Sequence, residues 1–297
     1  MNNSVWIIVV VSFLIGIIPP PICLAGQDSL ELDSLMTTTL SDTVDNEKPD
    51  SSFFNLDIQA QSDTFTFRKV ENRAFQVGEH LVFEVAYGPL KAGIATMSIP
   101  DTQWVEGRPC YHIVTTAKSN DFVSTFFKVR DRVESFVDMQ GLFPWKFEKH
   151  IREGHYKKNR YVRYDQRRHL IHRKKGTLET KPYIQGILSA FYYTRTLPLE
   201  VGKHLDIDCY GDGKIYNLRI LVHKKERIKV PAGKFNCLVV EPKLKGEGLF
   251  KQKGRLVIWL TDDEKRMPVL MKSKALIGSI STRLKKYRFT PKKNKKK

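Results

Sequence analysis

The sequence of 297 residues predicts a mainly β fold, in which one curved antiparallel sheet forms a half-barrel around one or two short helices. Three observations predict it. From Phe65 onward, apolar side chains recur at every second position, as a strand with one buried face requires. Gly, Pro and Asp turns cut that rhythm into roughly a dozen segments, the spacing of an antiparallel meander. Two aromatic-rich stretches alone switch to helical spacing, and a strongly curved sheet buries both their apolar faces and its own. Strict alternation also argues against a parallel sheet buried on both sides.

In chain order, residues 5–18 form an unbroken run of apolar or small residues, followed by Pro19, Pro20 and Pro21. Such a run rises roughly 21 Å as a helix, short of a bilayer core of about 30 Å. Small residues at Cys23 and Ala25 then suit a signal peptide spanning residues 1–25, cut after Ala25, although no basic residue precedes the apolar run. An uncleaved anchor is the alternative. Residues 26–69 read as an acidic, disordered leader: positions 26–64 carry nine acids against Lys48 alone, with Ser/Thr-rich stretches. Docking of that arm on a basic face is its other reading.

The domain proper is expected over residues 70–290. His80 to Tyr87 places Leu81, Phe83, Val85 and Tyr87 on one face, and Gly88, Pro89 and Gly93 punctuate a turn into residues 94–99. Strands follow over 110–117, around Val129, Val133 and Val137, and over 145–151, 160–164, 170–173, 216–223, 227–230, 237–242, 256–260 and 276–289. Asn120 and Asp121 can cap a short helix through Phe127. Residues 184–197 have the i, i+3, i+4 spacing of an amphipathic helix that stops before Pro198. Residues 291–297 are a basic tail.

Five segments resemble an uncharacterised family of exported Gram-negative proteins known as a domain of unknown function. They are Phe75-Gln-Val-Gly-Glu-His-Leu-Val-Phe-Glu-Val85, Lys128-Val-Arg-Asp-Arg-Val-Glu-Ser-Phe-Val-Asp138, Ile187-Leu-Ser-Ala-Phe-Tyr-Tyr193, Val230-Pro-Ala-Gly-Lys-Phe235 and Trp259-Leu-Thr-Asp-Asp-Glu-Lys-Arg-Met-Pro-Val269. The last two also resemble periplasmic lipoprotein carriers and related sensors that bind acyl chains in a half-barrel. The resemblance covers residues 72 to 290 and implies an envelope protein, in the periplasm of a Gram-negative bacterium, without catalytic residues to carry over.

Chemistry is sparse. His169 and His172 are three apart in strand context, which points them to opposite faces, so no metal site is expected. There is no Gly-x-Ser-x-Gly elbow, Asp262-Asp263-Glu264 and Gly211-Asp212-Gly213 read as turns, and no cofactor pattern occurs. A non-enzymatic protein is expected. The mature cysteines Cys110, Cys209 and Cys237 either include one bridged pair or are all buried and inert.

The net charge of +18 invites an anionic partner, and export removes nucleic acid from the field. Residues 146–175 hold twelve Lys or Arg interleaved with Tyr156, Tyr161 and Tyr164. Lys149, Arg152, Lys157, Arg160, Arg163 and Arg167 are the candidate anion-docking residues, with a soluble basic exterior as the plainer alternative. Phe122, Phe126, Phe127, Ile187, Phe191 and Tyr192 are the candidates to line an acyl cavity between sheet and helices, against simple core packing. The leading function is therefore binding of an amphipathic or anionic envelope ligand such as a lipid, lipopolysaccharide or glycan, with at most peripheral membrane contact. The alternative is a scaffold that docks an acidic envelope protein through its basic face; an outer-membrane barrel fits less well, because residues 146–175 carry charge on both faces.

Overall fold

The computed structural model describes residues 66–245, 255–274 and 279–290. The signal peptide, the acidic leader up to residue 65 and the basic tail lie outside the described residues. Sixteen strands and two helices follow one another: β1 (His80–Tyr87), β2 (Leu90–Ser98), β3 (Thr102–Val105), β4 (Arg108–Ser119), α1 (Asp121–Phe126), β5 (Arg130–Asp138), β6 (Pro144–Glu153), β7 (Tyr156–Asp165), β8 (Leu170–Arg173), β9 (Gly176–Glu179), β10 (Gln185–Gly186), α2 (Ile187–Thr194), β11 (His204–Gly211), β12 (Lys214–Val230), β13 (Gly233–Lys245), β14 (Leu256–Thr261), β15 (Pro268–Lys274) and β16 (Ser279–Arg288).

All strands join one sheet, ordered from β10 through β16, then β1, β2 and β4 through β9, with β3 paired to β4. Apart from β3 and the β9–β10 break at the two ends, neighbours in sequence are thus neighbours in the sheet, and β1 meets β16 in antiparallel register, Val85 opposite Thr282. Among the described residues, only the two-residue β10–β11 contact is parallel. The sheet curves around α2, and the main core fills the concave side. Leu81, Phe83, Ile113, Val133, Ile258, Val269 and Leu284 from the strands meet Leu188, Ala190 and Tyr192 from the helix.

Local chemistry explains the helix ends. The Asn120 side-chain oxygen accepts from Val123 N at 2.8 Å and caps α1. At the start of α2, Gly186 N donates to the Ser189 hydroxyl at 2.9 Å and that hydroxyl donates back to Gly186 O at 3.1 Å. Arg195, just past α2, is wholly buried and forks onto Glu79, with Nη1 and Nη2 donating at 2.8 and 2.7 Å. The same guanidinium donates to Ala74 O and Lys265 O, which ties helix, N-terminal segment and the β14–β15 turn together.

Several expectations change on inspection. Gly93 is not a turn residue but sits inside β2, where an added Cβ would fall 2.1 Å from Lys118 O on the adjacent strand. Segments 216–223 and 227–230 are one long strand, β12, with its register shifted between Val222 and Lys224. The domain also begins before residue 70. Phe67 packs on Phe143 and Trp145, at ring distances of 5.4 and 5.7 Å, and Arg68 Nε donates to Gly141 O at 2.7 Å. Residues 66–69 therefore belong to the packed body, because Phe67 joins an aromatic cluster and Arg68 a backbone carbonyl beside it. The turn readings hold: Asp212 and Gly213 take positive φ between β11 and β12, and the Asp263 carboxylate accepts from Lys265 N and Arg266 N between β14 and β15. Cys110, Cys209 and Cys237 are all free and buried, and burial pushes the thiols of Cys110 and Cys237 up to about 12.

Candidate functional site

The two ends of the sheet face each other across a seam that side chains, not ladder hydrogen bonds, close. On one lip, the β6–β7 register sets Phe147 opposite Val162 and Lys149 opposite Arg160. Strand alternation turns all four toward the concave side. The other lip is Ile187 at the head of α2 with Tyr210, Gly211 and Asp212 at the end of β11. Arg160 Nη1 reaches Asp212 Oδ1 at 2.7 Å across the gap, Arg173 Nη1 donates to Gly213 O at 3.3 Å, and the Tyr164 and Tyr210 rings meet edge to face at 6.2 Å.

Between the lips lies a cleft of about 330 Å³ including its open mouth, whose enclosed part has room for one or two waters. Two glycines keep it open. A Cβ on Gly186 would stand 2.8 Å from the Tyr164 hydroxyl, and one on Gly211 would stand 2.7 Å from the Tyr216 hydroxyl and 3.3 Å from Ile187. The apolar wall is Phe147, Val162, Ile187 and the tyrosine rings; the charged floor is Lys149 and Arg160. Lys149 is only 6% exposed, and burial takes its ammonium down to about 8, with Asp212 opposing that shift and Arg160 adding to it. Below about 8 the side chain is still an ammonium, so at neutral pH the cleft presents a buried positive charge to an anionic head group.

Deeper on the same face, Asp131 and Glu153 are buried side by side, 2% and 3% exposed. Asp131 Oδ1 accepts from Arg152 N at 2.9 Å, while Asp131 Oδ2 and Glu153 Oε1 have no other hydrogen-bond partner. Burial raises both carboxyls; Asp131 pushes Glu153 further up, whereas the Arg152 amide and the hydrogen bond with Glu153 hold Asp131 down, and Lys149 lowers both weakly. One carboxyl of the pair stays protonated near neutral pH.

A second polar cluster decorates the convex side. Glu134 and Glu148 stand directly opposite on β5 and β6, a repulsive pairing. His112 Nε2 lies 2.5 Å from one Glu134 oxygen and Arg132 Nε donates to the other at 2.6 Å. Lys146 pairs with Glu148 at 2.6 Å, and His150 lies 3.4 Å from Glu148 and 3.1 Å from Asn159 Oδ1. Burial would raise Glu134, but the His112 and Arg132 hydrogen bonds outweigh it and bring its carboxyl to about 2. Glu134, Glu148 and His150 bring one donor atom each within 4.8 Å, the residue types a divalent cation takes. Arg132 and Lys146 already neutralise both carboxylates, so the cluster is satisfied as an ion network.

Of the twelve candidate residues, Lys149, Arg160 and Ile187 meet in the seam cleft. The other basic candidates do not share one docking face, because alternation along a hairpin sends them to both sides. Arg152 and Lys157 lie on the convex side with Arg163, which is buried against Glu106 at 2.6 Å. Arg167 donates to Glu106 O and covers the Trp145 ring at 5.0 Å. Phe122 and Phe126 line no interior cavity: they are 62% and 77% exposed. Phe127 packs over Gly154, Phe191 is half-buried against the core, and Tyr192 is fully buried beside Phe75. Sequence reasoning missed Tyr164, Tyr210 and Asp212 as partners in one site. Only the alternation placing Phe147 and Lys149 on one face was there to be read.

The family described as "Protein of unknown function (DUF3108)" matches residues 82–285. No curated protein matches the chain in sequence at a significant level. Among solved structures, the chain is similar to a β-barrel-like protein of the domain of unknown function DUF1849 from Brucella abortus, with 10% identity over 73% of this chain and 99% of that one and a TM-score of 0.49. It is similar also to an inferred lipoprotein from Parabacteroides distasonis, with 9% identity over 75% of this chain and 100% of that one and a TM-score of 0.35. A third is an inferred exported protein with a YmcC-like fold from Bacteroides fragilis, with 11% identity over 75% of this chain and 100% of that one and a TM-score of 0.28.

Proposed function

This chain belongs to the DUF3108 family, and on that premise we propose that it is a non-enzymatic, exported envelope protein that binds an amphipathic anion in the seam cleft. The observation that carries the reading is the meeting of Lys149 and Arg160 beneath an apolar wall of Phe147, Val162, Tyr164, Ile187 and Tyr210. A carboxylate or phosphate head group, small enough for the cleft, would compete with Asp212 for Arg160 and accept from Lys149, its hydrocarbon leaving through the open mouth past the apolar wall. The compartment expected from residues 1–25 is the periplasm, where lipids and lipid-linked anions supply such ligands. The scaffold reading would draw on Arg163 and Arg167, which are paired with Glu106 as Arg160 of the cleft is paired with Asp212.

The test is titration with a fluorescent fatty acid and with its uncharged alcohol counterpart. The acid is expected to bind more tightly, and Arg160→Gln to weaken it by about tenfold, the worth of one hydrogen bond to a charged group. Equal binding of acid and alcohol, or an Arg160→Gln protein that binds as the parent does, would remove the cleft from consideration.

A further inference from the structure

Helix α1 holds two phenylalanines in water. Phe122 and Phe126 are 62% and 77% exposed, their rings packed edge to face at 5.8 Å, one turn apart on the same side of the helix. Large apolar side chains left out in this way, and in contact with each other, mark an interaction site more than a packing accident. The helix is not loosely attached. Asn120 caps it, Val123 is buried beneath it, Phe127 N donates to Val123 O, and the Ser119 and Ser124 hydroxyls meet at 2.6 Å. Thr125 turns its hydroxyl back to the carbonyls of Asp121 and Phe122, which leaves the outer surface of the helix apolar.

The surroundings extend the apolar surface and give it a charge. α1 lies against β2, whose Leu90 and Ile94 are 43% and 45% exposed, and Asn120 Nδ2 donates to Lys91 O at 2.7 Å. Lys118 stands directly across from Ile94 on β4 and is exposed, as is Lys128 just past the helix. Lys91 is exposed too, while its partner Glu84 is tucked between Lys91 and Arg283. Asp121 is the one acid on α1. The result is an apolar tip with a basic rim.

We infer that α1 and the adjoining start of β2 form a docking tip for an anionic bilayer surface, Phe122 and Phe126 entering among the acyl chains while Lys91, Lys118 and Lys128 meet the headgroups. Apolar insertion and attraction to anionic lipid add together in such interfacial anchors. The tip is separate in residues from the seam cleft, so either reading can fail without the other.

Co-sedimentation with vesicles of phosphatidylcholine containing one third phosphatidylglycerol tests it, using the full chain and its Phe122→Ser/Phe126→Ser variant side by side. The apolar run at residues 5–18 is common to both, so only the difference counts. The variant is expected to bind at least about tenfold more weakly, since each Phe contributes its own burial. High salt or omission of phosphatidylglycerol should weaken the parent as well. Phe126→Trp, which keeps an aromatic ring, should show blue-shifted emission and quenching by brominated lipid. Equal vesicle binding by parent and double-serine variant overturns the proposal, as does a Phe126→Trp protein with neither shift nor quenching. Loss of self-association in the double variant with unchanged vesicle binding would assign the tip to a second copy of the chain instead, and overturns it equally.

Discussion

Lys149 and the Asp131–Glu153 pair are where charge and burial act most directly on each other. The Lys149 ammonium, brought down to about 8 by burial, must be protonated to hold an anion. Affinity for the fluorescent fatty acid should therefore fall as pH rises through about 8, and Lys149→Met should flatten that dependence; a parent whose affinity is constant across that range contradicts the assignment. The carboxyl pair works with the opposite sign from ordinary paired acids. Its folded-state affinity for protons is raised, so the folded chain keeps a proton that the unfolded chain releases above the ordinary carboxylate range. Stability must then decline as pH climbs from that range toward weakly alkaline values. Glu153→Gln should remove much of the decline, measured as melting temperature against pH. Arg195 is the third case: Arg195→Met strands Glu79 wholly buried and should cost about 3–5 kcal/mol in denaturant unfolding, with Glu79→Gln added to it recovering part of the loss.

At the scale of elements, most strands and both helices were legible from period and punctuation. The Asn120 cap is visible because the residue type, its position and the apolar run behind it agree. What stayed hidden depends on register. Asp131 and Glu153 meet only because β5 and β6 pair as they do, and no local pattern states that pairing. Phe122, Val123, Phe126 and Phe127 form one apolar stripe in sequence, yet the structure buries Val123, half-buries Phe127 and leaves Phe122 and Phe126 in water. The basic run at 146–175 was visible as charge, but alternation divides it between the two faces. Gly93 reads as a turn because glycine is a frequent turn residue, whereas here it lets β2 approach β4. Gly93→Ala should accordingly destabilise by about 1–3 kcal/mol, as overpacking does. Phe67 marks where the body begins: removal of residues up to 65 should leave the melting temperature nearly unchanged, and Phe67→Ala should lower it by several degrees through lost contacts with Phe143 and Trp145.

For the molecule as a whole, the sheet has a weakest line, and the candidate site lies on it. Across the seam, ring contacts and a few side-chain bonds such as Arg160–Asp212 replace a backbone ladder. Amide hydrogen exchange should therefore proceed faster in β9, laddered on one side only, than in β1 and β16, which are laddered on both sides. The same arrangement bears on how the gene could be cut. Chain order and sheet order differ by a single rotation, and the only ladder joining distant parts is β1 with β16, where Glu84 and Arg283 pair across 199 positions. A circular permutant opened between Glu179 and Gln185, with Thr290 linked to Thr66, would have all its strands but β3 in spatial order. Its most distant pairing becomes a neighbour, so the loop that must close before β1 and β16 can zip is short. Such a permutant should reach the same fold faster than the natural chain.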